Sequence, residues 1–194
     1  LVSTLFARKA NFNSLSLHKT TCATSVRAER EPPKISPPSE VFTPGELSDI
    51  TSAWNEDRPA GKFIKDRHGY THYVVQGCDS GKSEKGMILL AHGLGTSYHS
   101  FTDFSDALVA DGYSVLRYDF YGHGYSKYGG DDMWQLDYST DMFVDQLEDL
   151  LEVVLEETNE KVVAFVGHST GGVLGSAANH RWGTKGSKRS VVPK

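Results

Sequence analysis

The stretch from Val162 to Gly172, VVAFVGHSTGG, constrains the fold of this chain more than any other feature. Five apolar residues lead into Gly167, and Ser169 follows two positions later. A run that is apolar on both faces predicts a buried parallel strand, and flanking glycines permit a sharp turn into a helix. Residues 167–171 therefore match GxSxG, a strand-turn-helix that projects a serine hydroxyl from the tip of a sheet. A glycine-rich turn with an incidental serine is the alternative.

Charge is distributed unevenly along the 194 residues. Residues 1–28 carry four cationic side chains and residues 181–194 carry five, and neither segment contains a carboxylate. The middle of the chain therefore holds 11 cationic groups against all 25 acidic ones, a net charge of −14. Because such an acidic body repels phosphate backbones, the sequence predicts no nucleic-acid partner.

The first 40 residues differ in composition from the rest. Residues 1–28 are rich in Ser and Thr among basic groups, which is typical of a transit peptide to the plastid or mitochondrion. A leader without a targeting function, in a cytoplasmic protein, is the alternative. Residues 30–40, REPPKISPPSE, are typical of an extended linker. We therefore predict a disordered leader and linker over 1–40 and a partial folded domain over 41–194, with no membrane span.

Cysteine and histidine usage argues against a disulfide framework, a metal or another cofactor. Cys22 and Cys78 are the only cysteines, and no CxxC motif or Cys/His cluster is present. Three histidines lie in glycine-flanked turns, at His92, His123 and His168, but their separations along the chain are long for a metal site.

Hydrophobic periodicity predicts the order of the elements. Residues 61–77 indicate an antiparallel hairpin, and residues 87–93 and 113–120 indicate two short strands. Between these strands a helix is expected to end at Gly112, with one apolar face formed by Phe101, Phe104, Ala107 and Leu108. A second helix over 141–157, capped by Ser139 or Thr140, precedes the strand described first. This order predicts an α/β fold, a mostly parallel sheet with helices on both faces and an antiparallel edge.

Three strands end in unusual clusters, and ligands bind at the carboxyl ends of strands in such sheets. The clusters are HGLG at 92–95, DFYGHGYS at 119–126 and the serine turn. Together LLAHGLGTS, LRYDFYGHGYS and VAFVGHSTGG resemble the α/β-hydrolase superfamily, and most closely its monoacylglycerol-lipase-like serine esterases. The resemblance covers roughly residues 62–180.

The resemblance implies roles for particular residues. Ser169 corresponds to the nucleophile, and the backbone N–H groups of Leu94 and Thr170 correspond to the oxyanion hole. The residues that would support these loops are His92, Gly93, Asp119, Gly122, His123, Gly124, Gly167, His168 and Gly171. The implied reaction is hydrolysis of a small carboxylic ester, including lipid acyl esters. Haloalkane dehalogenases carry Asp at the position of Ser169, whereas the serine turn alone does not exclude hydroxynitrile lyases or peptidases.

The chain departs from the family after Ser169. In α/β-hydrolases the acid and the catalytic histidine follow the nucleophile, yet residues 170–194 contain only His180 and no carboxylate. We expect either a C-terminally truncated fragment or a tail introduced by altered splicing or a frameshift. Two classes of function therefore stay open, a serine hydrolase and a non-catalytic chain. The sequence does not indicate which oligomeric state the protein adopts.

Overall fold

The computed structural model describes residues 3–6, 40–42, 60–78, 83–129 and 138–184. These residues form one eight-stranded sheet with three α-helices. The strands are β1 (Ser3–Phe6), β2 (Glu40–Phe42), β3 (Lys62–Lys65), β4 (Gly69–Gln76), β5 (Met87–Ala91), β6 (Ser114–Tyr118), β7 (Lys127–Tyr128) and β8 (Val162–His168). The helices are α1 (Thr102–Ala110), which a 3₁₀ turn at Tyr98–Phe101 precedes, α2 (Thr140–Thr158) and α3 (Thr170–Thr184).

The sheet is mixed, with a parallel centre. Its strand order is β1-β8-β5-β6-β4-β3-β2, and β7 pairs with β4. The contacts of β5 with β6 and β8 are parallel, whereas the other pairs are antiparallel. The predicted α/β class is confirmed, as is the predicted hairpin, which is formed by β3 and β4. The parallel centre brings the carboxyl ends of β5, β6 and β8 to one edge of the sheet.

Strand β5 is apolar on both faces because its alternating side chains pack into the core on each side of the sheet. Met87, Leu89 and Ala91 belong to a core cluster shared with α2 and α3. Ile88 and Leu90 face the other way and pack with side chains of α1. The sheet is therefore covered by helices on both faces, as predicted, and all five β5 residues are buried.

Helix α2 follows its predicted stripe closely. The Ser139 hydroxyl caps it by accepting the Met142 N–H at 3.3 Å, and Asn159 ends it in the left-handed region with φ 51°. The apolar stripe faces the sheet; its buried members are Phe143, Leu147, Leu150, Leu151 and Val154, and Leu155 is half-buried.

The predicted buried face of α1 is wrong at two of its four positions. Phe104 is 45% exposed and Ala107 is exposed. Ser105 is buried instead. A buried hydroxyl needs a hydrogen-bond partner, and that of Ser105 donates to Gln76 Oε1. Gln76 Oε1 also accepts from the buried Arg117 guanidinium at 2.6 Å, so a polar network beneath α1 sets the rotation of the helix.

Strand β1 lies at the outer edge of β8. It pairs antiparallel with β8, with Ser3 opposite His168 and Phe6 opposite Phe165. The predicted disordered leader therefore contains a strand, because the edge of β8 offers backbone N–H and C=O groups that a neighbouring strand can satisfy. Most of residues 1–40 lie outside the described residues, and the transit peptide stays a prediction. None of the described helices is long and apolar enough to cross a bilayer.

An ion-pair network holds α3 against α2. Arg181 near the end of α3 bonds Asp145 at 2.6 Å and Asp141 at 2.7 Å, both on α2. Arg67 in the β3–β4 turn contacts Asp145 as well, at 3.3 Å. Burial opposes ionisation of Asp145, but hydrogen bonds from His68 and Arg181 outweigh it and lower the pKa of this carboxyl. The network therefore orients the helix that follows Ser169.

Candidate active site

The GxSxG segment forms the predicted strand-turn-helix. Strand β8 ends at His168 and α3 begins at Thr170, so Ser169 alone makes the turn. Ser169 has φ 52°, a left-handed conformation that is strained for a residue with a side chain. Its carbonyl accepts the N–H of Gly172 at 2.9 Å, and its side chain is exposed. The turn therefore presents a serine hydroxyl to solvent at the carboxyl end of β8.

Close backbone contacts explain the two glycines of the motif. A Cβ added to Gly167 would lie 2.3 Å from the carbonyl carbon of Gly171. A Cβ added to Gly171 would lie 2.2 Å from the carbonyl oxygen of Ala91 on β5. The start of α3 thus packs directly on the backbones of β8 and β5.

The three strand ends align across the sheet. Ala91, the last residue of β5, pairs with Tyr118 of β6 on one side and with Gly167 of β8 on the other. The loop after β5 then passes beside the serine turn, since a Cβ added to Gly93 would lie 3.1 Å from Ser169 Cβ. The structure therefore brings together the segments that carry Leu94 and Thr170.

The carbonyl of Gly93 is held by three donors. It accepts from His92 Nδ1 at 2.7 Å, from Thr96 Oγ1 at 2.8 Å and from the Thr96 N–H at 3.3 Å. The Gly93–Leu94 peptide is trans, so the Leu94 N–H points away from this carbonyl. Anchoring the carbonyl therefore also fixes the direction of the Leu94 N–H.

Both ring nitrogens of His92 form hydrogen bonds that support this loop. Its Nε2 accepts the Phe120 N–H at 3.0 Å, so its Nδ1 carries the proton that is donated to Gly93. Burial lowers the pKa of His92, although the hydrogen bond to Gly93 and the nearby Asp119 oppose this shift. His92 is consequently a neutral bridge between the ends of β5 and β6, with neither nitrogen available for proton transfer.

Asp119 organises the loop after β6. Its buried carboxylate accepts the N–H groups of Tyr98 at 2.8 Å and Tyr125 at 3.1 Å, and it contacts His72 Nδ1 at 2.8 Å. Gly124, with φ 51°, packs so tightly on this carboxylate that a Cβ would lie 2.2 Å from its Cγ. His72 could not be predicted as part of this cluster, because a single histidine within a strand belongs to no motif.

The other predicted histidines occupy three different places in the structure. His123 Nδ1 donates to the Tyr121 carbonyl at 3.1 Å, and its ring centroid lies 5.4 Å from that of His92. His168 lies against Gly93. His180 is exposed on α3, eleven residues after Ser169, about 16 Å along the helix axis. Within the described ranges no group of three His, Cys, Asp or Glu residues is suited to a metal ion.

A pocket of about 170 Å³, here called the apolar pocket, opens beside the serine turn. Its walls come from the loop after β5, the end of β6, and the first turns of α2 and α3. The lining residues are Leu94, Phe120, Tyr138, Thr140, Phe143, Thr170, Val173 and Leu174. Both residues whose amides were predicted to form an oxyanion hole therefore border the same cavity.

Gly95→Val is expected to slow reaction at Ser169 with little loss of fold. Gly95 has φ 72°, and a Cβ placed on it would meet nothing within 4 Å, so the expected cost is the backbone strain of a positive φ. Relief of that strain would shift the Leu94 amide. The maximal rate of labelling by a fluorophosphonate should fall on the order of 100-fold, with a small change in the half-saturating probe concentration.

Gly183→Val is the matched control for this change. Gly183 also has open space around an added Cβ, but it lies at the far end of α3. The Gly183→Val variant should be labelled at the same rate as the unsubstituted chain. The alternative is that the loop is only a structural turn. In that case circular dichroism would show loss of folded protein in Gly95→Val.

Comparison with known proteins identifies the fold. The mixed sheet with a parallel centre, covered by helices on both faces, is that of the α/β-hydrolases. The profile of the family described as serine aminopeptidase, S33, matches residues 82–188, more than half of the chain. The chain therefore belongs to this family of α/β-hydrolases. None of the curated proteins matches it.

Several solved structures share the fold. The enol-lactonase from Burkholderia xenovorans LB400 is 24% identical with a TM-score of 0.51, over 61% of this chain and 41% of that chain. An epoxide hydrolase from an endophytic Streptomyces is 23% identical with a TM-score of 0.51, over 62% and 33%. A carboxylesterase structure from the thaumarchaeon Nitrososphaera gargenis is 22% identical with a TM-score of 0.50, over 61% and 40%. The chain thus spans less than half of the length of each.

Proposed function

We propose that this chain carries the nucleophile of a serine hydrolase that acts on small carboxylic esters. The observation that carries the proposal is the exposed Ser169 in a strained turn, beside the loop that holds the Leu94 amide. Membership of the S33 family supports hydrolysis and a small-molecule substrate. The preference for an ester follows from the resemblance to serine esterases.

The proposed chemistry is acyl transfer through Ser169. The Oγ attacks the ester carbonyl while a base takes its proton, and the resulting tetrahedral oxyanion accepts hydrogen bonds from the Leu94 and Thr170 N–H groups. Thr170 is the first residue of α3, where N–H groups have no partner within the helix. Collapse of the tetrahedral intermediate expels the alcohol, which receives the proton, and leaves the acyl group on Ser169 Oγ. Water then hydrolyses this acyl-enzyme and releases the acid. Each amide contributes about 3 kcal/mol of transition-state stabilisation.

A non-catalytic chain is the second candidate. It is favoured by the state of the histidines, because His92 has both nitrogens engaged and His180 lies about three helical turns from Ser169. A serine hydroxyl without a base is a weak nucleophile. On this alternative the chain binds a ligand or partner without turning it over.

Fluorophosphonate labelling of the 194-residue chain tests the proposed nucleophile. Over a long incubation the probe should modify Ser169 in preference to the other serines, because the turn exposes the hydroxyl and two amides face the developing charge. Peptide mass spectrometry locates the modified residue. Ser169→Ala should remove the label, and Ser176→Ala, at the one serine of α3, which is exposed, should not.

Two results of this experiment speak against the assignment. A label that survives Ser169→Ala would place the nucleophile elsewhere. Equal modification of many serines, or none of Ser169, would favour the non-catalytic chain.

We also propose that residues 1–28 direct the protein to a plastid or mitochondrion, on the basis of their basic, acid-free, Ser/Thr-rich composition. Fusion of these residues to a fluorescent protein should give organelle fluorescence. Diffuse cytoplasmic fluorescence would reject the targeting role.

A further inference from the structure

Exposed apolar side chains are concentrated around the apolar pocket. Among the described residues four large hydrophobic side chains are exposed, and three of them line this pocket, namely Leu94 and Val173 at 60% and Tyr138 at 55%. The fourth, Phe104, lies on α1. Contiguous exposed apolar surface is unfavourable in water, so its position at the mouth of a cavity indicates a ligand.

The floor of the apolar pocket is also apolar. Phe120, Phe143 and Leu174 are buried beneath the rim, and the Phe120 and Phe143 ring centroids are 5.3 Å apart. A 150 Å³ apolar cavity holds one benzene molecule, so a volume of about 170 Å³ accommodates roughly six or seven carbon atoms. The volume of the pocket therefore limits the number of carbon atoms that it can enclose.

The lining also argues against a peptide amino group as the ligand. Recognition of an α-ammonium requires a carboxylate or several carbonyl acceptors, since an unpaired cation is costly to desolvate. Among the described residues of the lining, the polar side chains are the hydroxyls of Thr140, Thr170 and Tyr138, none of which carries a negative charge. This part of the wall favours an uncharged group over the ammonium group of an aminopeptidase substrate.

We propose that the apolar pocket is the subsite for an aliphatic chain of about six carbons, attached to the ester carbonyl that Ser169 attacks. The attachment rests on the proposed function, because the pocket borders Leu94 and Thr170, whose amides would hold the carbonyl oxygen. Binding of the chain itself does not require Ser169 to react. Val173 is both exposed and part of the lining, so its side chain is available on the rim to contact the hydrocarbon.

Titration of the 194-residue chain with primary alcohols tests the subsite. With ¹³C-labelled Leu and Val methyl groups, NMR shifts of Leu94, Val173 and Leu174 report binding of 1-butanol, 1-hexanol and 1-octanol. The Kd should fall about fourfold for each added methylene up to about six carbons, and by less beyond that length. Leucinamide, which carries an ammonium group, should leave these signals unchanged.

Two variants localise the effect. Val173→Asp should weaken 1-hexanol binding at least tenfold, while Phe104→Asp, an equivalent change at an exposed apolar position away from the pocket, should leave it unchanged. Binding of 1-hexanol to the unsubstituted chain when no probe labels Ser169 would retain the subsite and reject the proposed nucleophile. Absence of alcohol binding, tighter binding of leucinamide, or equal Kd values for Val173→Asp and the unsubstituted chain would overturn the subsite.

Discussion

The 194-residue chain should hydrolyse p-nitrophenyl butyrate no faster than its Ser169→Ala variant. Residues 170–194 supply no carboxylate, and their one histidine, His180, lies about 16 Å from Ser169 along α3. Loss of a catalytic base costs a serine hydrolase a factor on the order of 10⁶ in turnover. What remains is the modest acceleration that two amides give to direct attack by water, which does not require the Ser169 hydroxyl.

The histidines that precede Ser169 do not change this expectation. His92 donates through Nδ1 and accepts through Nε2. His72 is buried, with Nδ1 on Asp119 and Nε2 on the Ala60 carbonyl, both at 2.8 Å. His123 directs its Nδ1 proton to Tyr121. No carboxylate in the described ranges therefore orients a histidine toward the serine turn.

Rapid hydrolysis that disappears in Ser169→Ala would contradict this account, because it would show that a base is present within these 194 residues. Substitution of His123 and His168 by Ala, one at a time, would then identify it. A rate that is the same in both proteins and above the buffer blank would instead be assigned to surface groups.

Gly171→Ala should destabilise the fold by about 3 kcal/mol or more. The added methyl would lie 2.2 Å from the Ala91 carbonyl oxygen and 2.7 Å from the His92 carbonyl oxygen. Both atoms belong to the backbone at the end of β5, so neither can move as a flexible side chain would. Relief requires α3 to separate from the centre of the sheet. Urea denaturation followed by circular dichroism measures the change.

The same substitution at Gly183 is the control. It lies in α3 with open space around it, so Gly183→Ala should leave stability unchanged or raise it by up to about 1 kcal/mol. If Gly171→Ala and Gly183→Ala unfold at the same urea concentration, α3 does not pack on β5 as described here.

Local sequence information predicted the elements whose environment is uniform along the chain. Strand β5 is apolar throughout because both of its faces are covered, and α2 shows a stripe because it has a single buried face. The serine turn was predictable for a related reason. Its strained φ and close contacts require glycines at fixed positions, which leave a visible motif.

Features that depend on residues distant in the chain could not be predicted in this way. The rotation of α1 is set by Ser105, Gln76 and Arg117, which come from three separate elements. The contact of His72 with Asp119 joins residues 47 positions apart. The apolar pocket is built from four segments, and no single segment shows a pattern that would indicate it.

On the proposed targeting role of residues 1–28, the pairing of β1 with β8 would link maturation of the protein to the integrity of its sheet. Strand β1 lies within the segment that resembles a transit peptide, and a processing peptidase that removed residues 1–28 would also remove the outer neighbour of the strand that carries Ser169. The uncovered backbone of β8 would then be open to any extended segment, whether from the same chain or from another molecule. Import would in that case create a new site for strand addition next to the serine turn.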